Sequence, residues 1–98
     1  MATFITTLHF TEQGVKAVRD TCERAAAFKT AAEKLGIKVS GQYWTLGAFD
    51  GVIVFEAPDE VTATAAVLHL SSLDNLRTQT ARAFDAAEMQ KILGLLPR

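Results

Sequence analysis

The alternation of apolar and polar residues along the chain predicts four β-strands. The clearest signal is Val52-Ile53-Val54-Phe55, where four successive apolar residues indicate a strand that is buried on both faces. A turn over residues 46–50 joins this strand to the one before it, because Gly47 and Gly51 tolerate the positive φ angles of tight turns. The predicted strands are Thr3–Phe10, Ile37–Thr45, Gly51–Ala57 and Asn75–Phe84.

Three helices are predicted between and after these strands. Apolar residues recur at three- and four-residue steps over residues 15–35, and Gly36 suits the left-handed position that ends a helix. Asp59 is the predicted N-cap of the second helix, and the spacing of Asp85 and Glu88 predicts a capping box at the start of the third. The residues expected to face the core are Val15, Val18, Cys22, Ala25, Phe28, Ala32 and Leu35 in the first helix and Val61, Ala65 and Leu68 in the second.

The order of these elements, βαββαβα, predicts an α+β fold of the ferredoxin-like type. Two right-handed crossovers and a central hairpin give a four-stranded antiparallel sheet in the order 4-1-3-2, with the main helices on one face. The whole chain, residues 1–98, is expected to form one domain. Gly41 is a candidate β-bulge, which would reverse the facing of the residues that follow it.

The central strand predicts that the sheet needs cover on both faces. Ile53 and Phe55 point one way and Val52 and Val54 the other, whereas the helices cover one face only. Leaving a valine or isoleucine exposed forgoes about 1.5–3 kcal/mol of burial free energy. We therefore expect two copies to pair sheet to sheet, as a homodimeric α+β barrel or a larger homo-oligomer, with Trp44 and Ile5 on the shared face as further apolar groups.

Composition and charge exclude several classes of function. The 98 residues are 49% hydrophobic and 21% charged, with a net charge of −1 and no basic block, which argues against nucleic-acid binding. No apolar run approaches the ~18 residues of a membrane span. A single cysteine, Cys22, leaves no intrachain disulfide. We expect a cytoplasmic protein without a membrane partner.

Polar and aromatic residues near the turn and the strand ends are the candidate site residues. His9, late in the first strand, is a candidate base or ligand, or else a histidine hydrogen-bonded to backbone. Asp50 either orients a ligand or caps its own turn. Tyr43 and Trp44 either stack on a flat ligand or belong to the core or the dimer interface.

Two arginines on the last strand are candidates for binding an anion. Arg77 and Arg82 can hold a carboxylate or phosphate with two hydrogen bonds, or else pair across strands with Glu56 or Asp50. Cys22 is expected to be a small buried apolar residue. His9 and the surface residue His69 lack a carboxylate at ligand spacing, so neither a metal site nor a cofactor is expected.

The turn and its flanking strands resemble one known family. Residues 43–50, Tyr-Trp-Thr-Leu-Gly-Ala-Phe-Asp, followed by Val52-Ile53-Val54 and Glu56-Ala57-Pro58-Asp59, are similar to the GYD domain family. Segments 11–14, 75–78 and 82–84 extend the resemblance over residues 3–93. The tyrosine for which the family is partly named is matched here by Phe49, which has no hydroxyl. The resemblance implies a ferredoxin-like, dimeric α+β barrel protein without an established activity.

Three functions are consistent with these observations. The leading hypothesis is a homo-oligomer that binds a small molecule in a pocket on the sheet, near His9, Trp44 and Arg82. One alternative is a cofactor-independent monooxygenase or isomerase for a small aromatic or dicarbonyl compound, with His9 as the base. The other is a structural or regulatory assembly unit without a ligand.

Overall fold

The computed structural model describes all 98 residues and confirms the ferredoxin-like α+β fold. The region predicted as one first helix is divided, because a short helix and a 3₁₀ turn precede the first long helix. The elements are β1 (Ala2–Phe10), α1 (Glu12–Lys16), a 3₁₀ turn (Val18–Asp20), α2 (Thr21–Lys34), β2 (Lys38–Trp44), β3 (Gly51–Ala57), α3 (Glu60–Ser72), β4 (Leu76–Ala83) and α4 (Ala86–Gly94).

The four strands form one antiparallel sheet in the order β2-β3-β1-β4, which is the predicted order read from the other edge. Directly paired residues share a face of the sheet. The pair Phe4 and Phe55 lies on the face covered by α2 and α3, hereafter the helix face. The pair Ile5 and Val54 lies on the opposite face, hereafter the outer face.

The core lies between the helix face and the two long helices. Phe4 and Phe55 stack with ring centroids 5.5 Å apart, and Phe28 of α2 and Leu70 of α3 are buried in the same cluster. Ile53 is buried there as predicted, while Val54 on the outer face is only half-buried. The helices therefore cover one face of β3 and leave the other uncovered.

A β-bulge in β2 confirms the prediction at Gly41 and changes the facing of Trp44. Val39 pairs with Phe55, but Gly41 pairs with the next residue, Val54, so the extra residue is Ser40. Beyond the bulge Tyr43 lies on the outer face, and Trp44 lies on the helix face. The expectation that Trp44 extends the apolar outer face is therefore wrong, because one inserted residue reverses the alternation.

The first predicted helix is broken, and its predicted apolar stripe is buried only in part, at Phe28 and Ala32. α1 ends at Lys16, and a new helical register begins at Thr21 after the 3₁₀ turn. In α2 the buried residues are Phe28 and Ala32, whereas Cys22, in the first turn, is exposed. The prediction that Cys22 is buried is wrong because the stripe does not continue through the break. Val15, Val18 and Leu35 are also exposed.

The predicted buried side of the second helix is also wrong. Val61 and Leu68 are 79% and 63% exposed, and Ala65 is exposed as well. The buried side of α3 consists of Ala63, Ala66 and Leu70. Two small alanines let the helix axis approach the sheet closely, which a larger side chain at the same positions would prevent. Asp59 caps this helix as predicted, accepting a hydrogen bond from the Thr62 backbone N–H at 2.7 Å.

The last helix, α4, lies at the surface of the molecule. Asp85 and Glu88 form the predicted capping box, but no residue of α4 is buried. Its apolar side chains Met89 and Leu93 are nearly half exposed. The resulting molecule is elongated, with extents of 53 × 31 × 19 Å. None of its helices has the length and hydropathy needed to cross a bilayer.

Candidate functional site

The candidate residues separate onto the two faces of the sheet. His9 and Arg77 are direct partners across the β1–β4 pair and lie on the outer face. Tyr43 lies on the same face, on the edge strand β2, and its side chain is 60% exposed. Trp44 and Arg82 lie on the helix face, on strands at opposite edges of the sheet.

The expected pocket near His9, Trp44 and Arg82 is therefore not assembled by this fold. Arg82 pairs with Phe4, five residues before His9 on β1, which corresponds to about 17 Å along the strand. Arg82 and His9 also face opposite sides of the sheet.

His9 contacts the turn between β2 and β3. Its Nε2 lies 2.9 Å from the Ala48 carbonyl oxygen. A carbonyl oxygen only accepts, so Nε2 is the donor, and in the neutral ring the acceptor is Nδ1. The backbone contact weighed as the alternative role for His9 is present, and Nδ1 is the atom left for a ligand or a proton.

Asp50 holds the same turn against the end of β1. Its Oδ2 accepts a hydrogen bond from the Phe10 backbone N–H at 2.9 Å, and its own N–H donates to the Leu8 carbonyl at 2.7 Å. Its carbonyl accepts from the Thr45 N–H at 2.9 Å. The Asp50 carboxylate therefore accepts from a backbone N–H, as in the capping role weighed for it, but the N–H belongs to β1 and not to its own turn.

Arg82 anchors the start of α4. Its Nη2 donates to Glu88 Oε2 at 3.0 Å, and its guanidinium lies 4.5 Å from the ring centroid of Phe84. The cross-strand partners considered for it, Glu56 and Asp50, are replaced by Glu88. The Asp85 backbone N–H, followed by the Arg82 guanidinium, lowers the pKa of the Glu88 carboxyl, since both favour its charged form.

Trp44 lies at a cavity between α2 and the helix face. The indole Nε1 donates to Thr21 Oγ1 at 3.0 Å, and the side chain is 49% exposed. The cavity has a volume of about 50 Å³, and Leu8, Phe28, Ile53 and Asp50 are also in its wall. Of the sequence-predicted site residues, the structure brings three together in the wall of this cavity: Tyr43, Trp44 and Asp50.

Arg24 is the residue of this cavity that the sequence analysis did not single out. It lies four residues before Phe28 and eight before Ala32, on the stripe of α2 that packs onto the sheet. The available signal was this four-residue spacing, which places a charged residue in line with two core residues. His69, expected on the surface, is exposed but also lines a second cavity beside Arg24.

With this geometry in place, comparison with known proteins identifies the family. A model described as GYD domain matches residues 4–93. The chain belongs to the GYD domain family. A curated relative from Thermus thermophilus, named glutamine synthetase and cystathionine beta-lyase binding protein, is 34% identical over 90 residues, which cover 91% of this chain and 95% of the relative.

A solved structure supports the fold of this GYD domain. The crystal structure of TTHA0845, also from Thermus thermophilus, matches with a TM-score of 0.57 and 24% sequence identity. The match covers 88% of this chain and 96% of that one. At this identity the likeness shows the ferredoxin-like fold alone.

The turn that carries the family resemblance is a structural element in this GYD domain. Gly47 has a φ of 125°, which side chains other than hydrogen rarely allow. Phe49 is half-buried at the turn, and its carbonyl accepts a 2.6 Å hydrogen bond from Thr45 Oγ1. The Phe49 carbonyl thus closes the turn without the tyrosine hydroxyl, while Ala48 and Asp50 hold the β2–β3 hairpin to β1.

Proposed function

We propose that this GYD protein is a homodimeric binding protein in which two copies pair through their outer faces. The observation that carries the proposal is the uncovered outer face of the central strands. Ile5 is 37% exposed there, and its neighbours Val52 and Val54 are only half-buried. Full burial of such side chains contributes about 1.5–3 kcal/mol each.

The rim of the outer face suits an interface better than a core. Tyr43 lies at one edge, and Arg77 lies at the other with Gln79 beside it. An apolar centre surrounded by polar and aromatic groups is the usual composition of a protein–protein contact. A two-fold axis lets one face of this kind serve both copies.

The name of the Thermus relative supports a protein partner in addition to the second copy. That relative is described as binding two enzymes, and it aligns with nearly the whole of this chain. We extend the role of protein binding to this chain without naming its partner. The dimer would present the exposed residues of α3 and α4 to that partner, because the outer faces are occupied by each other.

Val54→Arg tests the interface at its centre. We expect the variant to sediment as a monomer at micromolar concentration while the unaltered protein sediments as a dimer, because a charge on each copy would meet the same apolar patch. Val61→Arg is the matched control, since Val61 is 79% exposed on α3. The proposed interface is wrong if the unaltered protein is a monomer. It is also wrong if Val61→Arg dissociates the dimer and Val54→Arg does not.

A small-molecule site on the outer face is the second candidate function. The direct pairing of His9 with Arg77 favours it, because this pairing places an imidazole and a guanidinium side by side. Both residues line a groove that also includes Glu12. Pairing of two sheets would enclose them. Native mass spectrometry of the purified dimer should then show a bound small anion that is absent from Arg77→Met. If both proteins have the mass of two polypeptide chains without a ligand, this candidate function is refuted.

A further inference from the structure

Arg24 is a half-buried charged side chain of α2, and the proposed dimer does not use it. Its position on the Phe28–Ala32 stripe directs it between α2 and the sheet. Nη1 donates to the Ala17 carbonyl oxygen at 2.9 Å. Nη2 is inaccessible to solvent and has no hydrogen-bond partner.

No carboxylate of the chain neutralises this guanidinium. The two ion pairs of the molecule join Lys16 to Glu12 and Arg82 to Glu88. Arginine keeps its proton in proteins, so Arg24 remains charged where it lies. A buried donor that is charged and unpaired is costly, and the group that would satisfy it is an anion.

Two neighbouring cavities provide space for such an anion. The smaller is the 50 Å³ cavity beside Trp44, and the larger, about 100 Å³, lies between α2, α3 and the start of β4. Both have Arg24 in their walls, and they also share Phe28, Leu70 and Leu76. The polar residues of the larger cavity are Arg24, His69 and Asn75, with no carboxylate among its lining residues.

We propose that the larger cavity binds a small monocarboxylate whose apolar body packs against Phe28 and Leu70. The carboxylate accepts a hydrogen bond from Arg24 Nη2, which is a charge-assisted contact. It lies in the larger cavity because Asp50 lines the smaller one and would repel it. The volume is below the ~150 Å³ that holds a benzene ring, which limits the apolar body to fewer than six carbon atoms, such as the four-carbon isobutyl group.

The test uses 3-methylbutanoate and its neutral isostere 3-methylbutanamide with the full-length protein. We expect millimolar 3-methylbutanoate to shift the NMR signals of Leu70 and Leu76, and the amide to bind at least about tenfold more weakly. Arg24→Met keeps much of the length of the side chain without its charge and should weaken carboxylate binding by the same factor. Arg19→Met, on the exposed 3₁₀ turn, is the matched control and should bind like the unaltered protein.

Several outcomes would overturn the site. The site is wrong if Arg24→Met binds 3-methylbutanoate as tightly as the unaltered protein does, or if the amide binds as tightly as the carboxylate. It is also wrong if the NMR shifts are confined to residues other than Leu70 and Leu76, or if inorganic phosphate alone produces the same shifts. If Arg24→Met fails to fold, Arg24→Gln takes its place. The site does not depend on the outer face, so the monomeric Val54→Arg variant should bind 3-methylbutanoate with unchanged affinity, and either proposal can fail without the other.

Discussion

At the scale of single residues, Gly14 is where two backbone segments come closest. It lies buried in α1, and a Cβ placed on it would be 2.0 Å from the Asn75 carbonyl oxygen, a backbone atom that cannot rotate away. The same carbonyl accepts a hydrogen bond from the Thr11 N–H at 3.1 Å. The absence of a side chain at residue 14 therefore allows α1 to pack against the segment that leads into β4.

Gly14→Ala should lower the free energy of unfolding by about 1–3 kcal/mol, because the methyl group forces the two segments apart. The control is Gly94→Ala at the end of α4, where nothing lies within 4 Å of the new Cβ. That change should raise the stability by about 0.5–1 kcal/mol, since alanine is the better helix former. Urea denaturation measures the free energy of unfolding of both variants. If Gly14→Ala is as stable as Gly94→Ala, the close contact at residue 14 is refuted.

The facing of individual residues was predictable only where the chain is regular. Ile53 and Val54 alternate without interruption, so their opposite faces follow from the sequence. Trp44 follows a bulge whose exact position the sequence leaves open, and one residue decides its face. The sequence does not single out Arg24, because a charged residue on a helix is usually solvated. The partial burial of its side chain depends on the gap that α2 and α3 leave between them.

At the scale of elements, α4 is held by its first turn. Asp85 Oδ1 accepts from the Glu88 N–H at 2.8 Å, and Glu88 Oε1 accepts from the Asp85 N–H at 3.2 Å. Arg82 joins this box to β4 through its ion pair with Glu88. Because no residue of α4 is buried, these polar contacts contribute most to its placement.

The helix content of α4 should therefore depend on pH. The folded-state pKa of Glu88 is lowered below its ordinary 4.5, so the contribution of its charged form is present above that value and is lost as the pH falls through the folded pKa. We expect the NMR signals of α4 to move toward random-coil positions between neutral pH and acidic pH, before those of the central strands. Glu88→Gln should show this fraying already at neutral pH. If the NMR signals of α4 keep their helical positions in both proteins at every pH, the proposed role of the Glu88 charge is wrong.

Element types were predicted better than helix phases. Every strand and its pairing order follow from apolar alternation and turn residues, and the caps at Asp59 and Asp85 follow from local spacing. The buried side of α2 follows in part, since Phe28 and Ala32 are buried as predicted but Cys22 is exposed. The buried side of α3 does not follow, because this helix is rich in alanine and threonine and its apolar stripe is weak. In the folded protein α3 packs on the sheet through the small residues Ala63 and Ala66, and the larger Val61 faces solvent.

At the scale of the whole molecule, a sheet with one covered face is the feature that the sequence predicted most fully. The continuous apolar run in β3 indicates burial on two sides, and the structure places both long helices on one of them. The remaining long helix, α4, has no buried residue and so does not cover the outer face either. The same pattern that predicts the fold therefore also predicts a second copy.

If the dimer is the native state, the melting temperature must rise with protein concentration. Unfolding then separates two chains, and mass action favours the folded dimer by about 1.4 kcal/mol for each tenfold increase in concentration. For a dimer of two 98-residue chains we expect a rise of about 3–5 °C per tenfold step. The melting temperature of Val54→Arg should be lower and independent of concentration, whereas Val61→Arg should retain the dependence. A constant melting temperature for the unaltered protein between micromolar and millimolar concentrations would leave the outer face exposed in the native state and remove the basis for the dimer.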